Sequence, residues 1–281
     1  AVLSSIPSLT LNLKVSLPEK ALLGVYVIAP VELFKLNPDE QFTVLSFNFE
    51  MLARQLVSRK LSNELDMTTR QLHSGIEGFS LYDSEFYKVL AAQKEFNKLP
   101  IYYVEMPGTV ELIRNTIEKF ITEDFNKDKG IVVMLDHTIL VRGKQGEMER
   151  LVLVELMVMA NSLKKQHKIS FVFLSQLNRE IEQADRFAEP SQQFPKKKDL
   201  FGGDSVFMFS DLVMVSMNPE QLGMDTYGPK SWPTRNALFW HFIKVREGRP
   251  CIAKMKNELK YNRVVDFKAE TNYELKSEKD E

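Results

Sequence analysis

The feature that most constrains the fold is a series of short apolar runs separated by longer stretches with apolar residues at helical spacing. The run GIVVMLD at 130–136 is apolar almost throughout, as in a strand buried on both faces of a parallel sheet. Similar runs stand at 42–47 and 169–176, and amphipathic stretches separate the three. This alternation predicts an α/β fold of right-handed βαβ units, with a mostly parallel central sheet flanked by helices.

The same patterns predict the individual elements. Strands are expected at 24–29, 42–47, 101–106, 130–136, 169–176, 211–217, 237–245 and 251–257. Helices are expected at 51–65, 80–96, 109–125 and 150–168, with Thr109 as an N-cap. The polar, proline-containing segment 179–199 predicts a mobile loop. We divide the chain into an N-terminal linker at 1–20, one domain at 21–268 and a charged tail at 269–281.

Composition excludes several classes of protein. Charged residues make up 27% of the chain and apolar residues 44%, which is typical of a globular domain. The net charge of −1 provides no general attraction for nucleic acid, so any DNA contact requires a local patch. The chain has one cysteine, which suits a reducing compartment such as the cytoplasm. No apolar run approaches the roughly 18 residues of a membrane span, so we expect no membrane partner.

Polar side chains follow three of the predicted strands. They are Asn48 and Glu50, Asp136 and His137, and Ser175 and Gln176. Single strands often end on polar residues only because the chain is leaving the core. Because parallel strands collect ligands at their carboxyl ends, two carboxylates and an amide at one edge together predict a phosphate and Mg²⁺ site with a water-activating base.

Five stretches carry a family resemblance: FTVLSFNFEMLARQL, IVVMLDHTIL, FVFLSQLNREIEQ, DLFGGDSVFMFSDLVMV and FIKVREGRP. Their order resembles the RecA-like ATPase domain of DnaB-type replicative DNA helicases, a P-loop NTPase core, from about Ile6 to Phe267. SQLNR and the KxRxGxP pattern are its specific parts. The LDH triplet resembles the phage primase-helicase and mitochondrial helicase branch, which favours a bacteriophage protein.

The resemblance implies an ATP hydrolase and DNA helicase that uses ATP and Mg²⁺. It implies a hexameric ring that hydrolyses ATP at subunit interfaces and translocates on single-stranded DNA during replication. A primase or a helicase loader is the implied further partner. The implied location is the cytoplasm of a bacterium, or of the host for a phage protein.

The resemblance also implies roles for single residues. Glu50 corresponds to the glutamate that polarises the attacking water, and Asp136 to the aspartate that holds Mg²⁺ through water. Gln176 corresponds to the sensor of the γ-phosphate. His137 contacts the γ-phosphate or DNA, or is a hydrogen-bonded structural histidine. Arg54, one turn after Glu50, supports the nucleotide site or forms a surface ion pair.

Two groups of cations complete the implied site. Lys244 and Arg246 correspond to a pair that reaches the nucleotide of a neighbouring subunit, as an arginine finger does. Their alternative interpretation is a pair of ordinary edge-strand cations. The implied DNA-contacting residues lie in the loop from 179 to 205: Arg179, Lys196, Lys197, Lys198, Phe201, Gly202 and Gly203. The family pattern has arginine and glutamate where Phe201 and Gly202 stand, so Phe201 is a candidate for stacking on a base.

The phosphate-binding loop GxxxxGK[ST] is not found after the first predicted strand. The residues from 31 to 41 are too few for both this loop and a crossover helix. Two explanations stay open: the natural protein carries a further segment between Pro30 and Val31, or the loop is deleted and the domain is a catalytically silent DNA-binding or scaffolding ring. The first explanation is favoured because the other site residues, Glu50, Asp136, Gln176 and the pair Lys244 and Arg246, all stand at the positions that the family pattern gives them.

Overall fold

The computed structural model describes residues 2–3, 29–73, 81–143 and 145–266. Most of the expected linker, the predicted strand residues 24–28 and the charged tail lie outside the described residues. None of the described helices is long and apolar enough to cross a lipid bilayer.

The described elements alternate much as the sequence patterns predict. The helices are α1 (Ala29–Leu36), α2 (Ala53–Leu65), α3 (Thr69–His73), α4 (Asp83–Phe96), α5 (Val110–Thr122), α6 (Glu149–Gln166), α7 (Ala184–Ala188) and α8 (Gly203–Phe209). The strands are β1 (Val2–Leu3), β2 (Phe42–Asn48), β3 (Ile101–Val104), β4 (Gly130–Asp136), β5 (Ile169–Phe173), β6 (Leu212–Met217), β7 (Thr226–Tyr227), β8 (Trp232–Pro233), β9 (Ala237–Val245), β10 (Cys251–Glu258) and β11 (Arg263–Asp266).

The main sheet has the strand order β11-β10-β9-β6-β1-β5-β4-β2-β3. Strands β3, β2, β4 and β5 are parallel, which confirms the predicted parallel core with its helical crossovers. The later strands β9, β10 and β11 form an antiparallel meander, because their connections are too short for a helical crossover. The fold is therefore α/β, with a parallel centre and an antiparallel extension.

Both faces of the parallel core are covered, which explains the continuous apolar sequence of β4. On one face, α5 and α6 bury side chains such as Ile117 and Leu156 at 0% exposure. On the other face, Phe34 of α1 stacks on Phe42 of β2 with ring centroids 4.4 Å apart. A strand with a helix on each side has no solvent-facing residues, so it has no polar alternation.

Strand directions place the two groups of candidate residues at opposite edges of the sheet. Strands β2, β4 and β5 all end at one edge, which we call the carboxyl edge. Strand β6 runs in the same direction as β5, because each is antiparallel to β1. Strand β9 is antiparallel to β6 and therefore ends at the other edge, the amino edge.

The structure adds elements that the sequence patterns did not predict, among them α3, α8 and β11, and it contradicts the prediction in two segments. Ala29, predicted as the last residue of a strand, begins α1, and this helix runs unbroken through Pro30 and Val31. The predicted mobile loop 179–199 is folded into short helical turns around α7. The reason lies in the bidentate ion pair between Arg186 and Asp199, whose carboxylate is fully buried. Because sequence spacing does not reveal this pairing, the segment reads as a loop.

Candidate functional site

An open cleft of about 800 Å³ lies between the ends of β2, β4 and β5 at the carboxyl edge and the length of β6, from Met217 back to Val213. The predicted site residues that line it are Glu50, Asp136, His137, Ser175 and Gln176. The structure therefore brings together residues from three strand ends, as the sequence predicts. Their chemical roles stay predictions.

Backbone pairing fixes the two carboxylates next to each other. Asn48 and Asp136 are register partners at the ends of β2 and β4. One residue later, the amide of Phe49 donates to the carbonyl of Asp136 at 2.9 Å. The side chain of Asn48 is buried and hydrogen-bonded to Ser46, so its amide stabilises the end of β2 and does not enter the cleft. Glu50 then projects into the cleft beside Asp136 with 60% of its side chain exposed.

The electrostatic environment of Asp136 suits a cation. Burial raises the pKa of Asp136, and the negative charge of Glu50 raises it further, while His137 and Arg59 act in the opposite direction. A carboxylate with a raised pKa is stabilised in its charged form by a bound divalent ion. The cleft therefore offers a favourable position for positive charge between two acids.

The ring of His137 has one nitrogen beside Glu50 and the other buried inside the protein. Its Nε2 lies 3.4 Å from Oε2 of Glu50, and its ring is 12% exposed. Its Nδ1 is buried and makes no hydrogen bond within the described residues. The peptide bond between Asp136 and His137 is cis. His137 thus has one ring nitrogen near Glu50 and a second for which the described residues supply no partner.

The residues present suit a magnesium ion that keeps most of its water ligands, and they do not suit a metal held by several protein side chains. No cluster of three or more acidic, histidine or cysteine side chains that could hold a metal is found in the part of the chain that the structure describes. Mg²⁺ commonly keeps several waters and binds through one or two carboxylates together with substrate phosphates. Asp136, with Glu50 near it, matches that smaller requirement.

The cation that lines the cleft was missed by the sequence analysis. Arg59 of α2 lies at the cleft with Glu50 and Asp136, whereas Arg54, the arginine named from the sequence, is exposed and absent from the described lining. No lysine is among the described residues of that lining. Sequence spacing offered no signal for this choice, because both arginines belong to α2 and only the packing of that helix places Arg59 at the cleft.

Lys244 and Arg246 lie at the amino edge and are not among the described residues that line the cleft, although Val213, the register partner of Lys244, does line it. Arg246 forms an ion pair with Asp211, and its side chain remains 55% exposed. Asp211 is also paired with Lys164 of α6. Lys244 donates to the carbonyls of Phe207 and Met208, at the C-terminus of α8. Both cations therefore have structural partners within the chain, and Arg246 is still accessible from outside.

The three candidate lysines at 196–198 are exposed on a helical turn with a buried support, which we call the lysine turn. Asp199 accepts from the amide of Lys196 at 2.6 Å and from both terminal nitrogens of Arg186. Burial alone would raise the pKa of Asp199, but these hydrogen bonds outweigh it, and the pKa is lowered. Buried hydrogen bonds thus hold the lysine turn in place, and of its three exposed lysines Lys197 is also paired with Asp204 at 2.8 Å.

A short ladder connects the lysine turn to the cleft. The carbonyl of Gln176 accepts from the amide of Phe201, and Leu177 forms a β-bridge with Leu200. The side chain of Asn178 donates to the carbonyls of Lys198 and Leu200 at 2.9 and 3.2 Å. These bonds connect the Gln176 segment directly to the lysine turn.

The remaining candidate DNA residues have clear structural surroundings. Phe201 is partly buried against the main core, and its ring packs there. Gly202 has φ +65°, and a Cβ at this position would lie 2.2 Å from Cδ2 of Leu153. Gly203 begins α8, and Arg179 begins a single helical turn after β5. Contact of these residues with DNA stays a prediction.

Known proteins resemble this chain both in sequence family and in fold. A family model described as the DnaB-like helicase C terminal domain matches residues 22–266. A solved ATPase domain is 16% identical, with a TM-score of 0.69, and the match covers 84% of this chain and 78% of that one. A DnaB-like replicative helicase, solved with a view to its interactions with primase, is 16% identical, with a TM-score of 0.67 and coverage of 82% and 51%.

These comparisons differ in what they show. The match to the helicase studied with primase spans only about half of that protein's length. At such low identity, the two structural matches show the fold alone. Comparison with curated proteins gave no match.

Proposed function

The chain belongs to the family of DnaB-like helicase C-terminal domains, and from this premise we propose that it is the ATP-dependent motor of a ring-shaped replicative DNA helicase. Its subunits would hydrolyse ATP at their interfaces and translocate on single-stranded DNA. ATP with Mg²⁺ is the proposed substrate and cofactor.

The observation that carries this proposal is the separation of the acids from the finger candidates. Glu50 and Asp136 line the cleft at the carboxyl edge, while Lys244 and Arg246 stand at the amino edge of the same sheet. One chain therefore presents two complementary halves of a phosphoryl-transfer site on different sides. Copies arranged head to tail complete each site, and a head-to-tail contact that closes gives a ring.

In this proposal each residue has one task. Glu50 orients the attacking water and accepts its proton, with His137 at 3.4 Å from the carboxylate. Asp136 would hold the hydrated Mg²⁺, and that ion would supply positive charge to neutralise the phosphates. Arg246 and Lys244 of the neighbouring copy stabilise the charge that develops on the transferred phosphate.

The Arg246 environment supports a finger that can move. Asp211 is buried and bonded to both Arg246 and Lys164. If Arg246 turns towards a phosphate, Lys164 still neutralises Asp211, so no buried carboxylate is left unpaired. The movement therefore avoids the large cost of an isolated buried charge.

The proposed DNA contact lies on the lysine turn. Three neighbouring lysines neutralise backbone phosphates without sequence preference, as a translocating protein requires. The ladder from Gln176 to Phe201 would connect the two sites, if Gln176 senses the γ-phosphate as the family resemblance implies. Primase or a loader as a partner, a phage origin and a cytoplasmic location complete the proposal; one structural neighbour was itself studied with primase.

A second candidate function is a catalytically silent DNA-binding or scaffolding ring. It is favoured by α1, which runs unbroken through Pro30 and Val31, and by the lack of a lysine among the described residues of the cleft. A phosphate-binding loop normally supplies backbone amides and a lysine for the β- and γ-phosphates. This alternative retains the fold and the lysine turn but predicts no tight nucleotide binding.

Calorimetry and turnover on the full chain separate the two functions. We expect ATP with Mg²⁺ to bind with micromolar affinity, and DNA to stimulate hydrolysis. Arg246→Ala should lower turnover by about 10³-fold or more, and Glu50→Gln should lower turnover while ATP still binds. Absence of binding to the wild-type chain would support the silent ring, and wild-type turnover in Arg246→Ala would remove the finger.

A further inference from the structure

Helix α8 connects the lysine turn to strand β6, which begins at the amino edge of the sheet. The first turn of α8 contacts the lysine turn, because Asp204 pairs with Lys197 at 2.8 Å. The other end of α8 contacts the finger candidates, because Lys244 donates to the carbonyls of Phe207 and Met208. One short helix therefore touches both the candidate DNA surface and the candidate finger.

The ring of Phe207 is shared by two lysines. The ammonium group of Lys197 lies 5.4 Å from the ring centroid, and that of Lys244 lies 5.0 Å from it. Both distances are within the range in which the face of an aromatic ring attracts a cation. The ring is partly buried against the main core, so packing sets its position. Phe207 is thus a common contact for one residue of the lysine turn and one of the finger candidates.

The two lysines also act on each other through their charges. Burial lowers the pKa of Lys244, and the positive charges of Arg246 and Lys197 lower it further, while Asp211 acts in the opposite direction. A DNA phosphate bound to Lys197 would offset one of the two repulsive charges. Such a phosphate would therefore favour the charged form of Lys244, which is the form that can stabilise a transferred phosphate.

We infer that Phe207 is a positioning residue that transmits DNA binding on the lysine turn to Lys244 and Arg246 of the same chain. The inference rests on the proposed function and adds a direction to it: DNA on one copy stimulates hydrolysis in the nucleotide site of the neighbouring copy. This route differs from the ladder at Gln176, which leads to the cleft of the chain that holds the DNA.

The test measures ATP turnover of the full chain with Mg²⁺, with and without single-stranded oligodeoxythymidine. Phe207→Leu keeps an apolar side chain but removes the ring. The stimulation by DNA should therefore fall about two- to fivefold, the factor that one exposed cation–π contact contributes. Phe207→Tyr keeps the ring and should retain the wild-type stimulation. The matched control is Phe209→Leu, which should also retain it, because Phe209 lies in the same helix and lines a small pocket with Met157 and Phe171.

Subunit mixing shows whether Phe207 acts on the neighbouring copy. Glu50→Gln supplies an intact finger but no working site of its own. In an equal mixture with Phe207→Leu, about half of the working sites therefore receive a finger from a chain that has the ring. The stimulation should then lie about halfway between the values for Phe207→Leu and the wild type. Stimulation no higher than that of Phe207→Leu alone would overturn the inference, because the residue would then act within its own chain.

Three other results would overturn the inference and leave the proposed function in place. They are wild-type stimulation in Phe207→Leu, loss of stimulation in Phe207→Tyr, and an equal loss in Phe209→Leu, which would indicate a general disturbance of α8. Absence of ATP hydrolysis in the wild-type chain, or of its stimulation by DNA, would overturn both.

Discussion

At the residue scale, several side chains that were predicted to act on ligands also have packing roles. Gly202 combines a left-handed backbone with close approach to Leu153, and Phe201 packs on the core. Arg246 and Lys244 are both bonded within the chain. A substitution at these positions can therefore lower activity either by removing a ligand contact or by destabilising the fold. Control variants must change only one of these two properties.

Gly202→Ala should destabilise the fold by about 1–3 kcal/mol from backbone strain, with a further cost from the contact with Leu153. Gly146→Ala is the matched control, since Gly146 has φ +82° and open space around its Cβ position. Urea unfolding of both variants isolates the cost of close approach. Equal losses in the two variants would contradict a packing role for Gly202.

At the element scale, the ladder between 176–178 and 198–201 is the described connection between the cleft and the candidate DNA surface. It is made of backbone bonds, one β-bridge and the side chain of Asn178. The lysine turn is therefore held both by this ladder and by the Arg186–Asp199 ion pair.

Asn178→Asp should weaken the connection between 176–178 and the lysine turn. The new carboxylate oxygen faces the carbonyls of Lys198 and Leu200 and cannot donate to them. We expect weaker binding to single-stranded DNA and a lower DNA stimulation of ATP hydrolysis, at a stability cost of about 1–3 kcal/mol. Nucleotide affinity without DNA should be retained. Unchanged DNA stimulation, measured in the same assay, would show that the ladder does not couple the two sites.

At the scale of the whole molecule, the two edges of the sheet carry complementary chemistry. The carboxyl edge has the acids Glu50 and Asp136, and the amino edge has Arg246 with Lys244. A single copy cannot bring these groups together. Activity is therefore expected to belong to the interface between copies.

Mixing two inactive variants tests this expectation. Glu50→Gln and Arg246→Ala should each be inactive alone, but an equal mixture forms about a quarter of its head-to-tail interfaces from two intact halves. Partial ATPase activity should return after subunit exchange. As a control, Glu50→Gln mixed with the double variant contains no intact Glu50 and should stay inactive. No recovery in the first mixture, with assembly confirmed, would argue against a shared site.

The sequence by itself determined the alternation of elements, the parallel core and the acidic strand ends, because burial of β4 on both faces and the termination of β2 and β4 are local patterns. Thr109 was likewise predictable as an N-cap, and its side chain accepts from the amide of Leu112. Only the tertiary structure decided that Arg59 and not Arg54 faces the cleft, that Arg186 and Asp199 hold the lysine turn, and that Arg246 lies at the opposite edge from Glu50. These outcomes depend on how distant segments pack and on strand direction, which residue spacing along the chain does not encode.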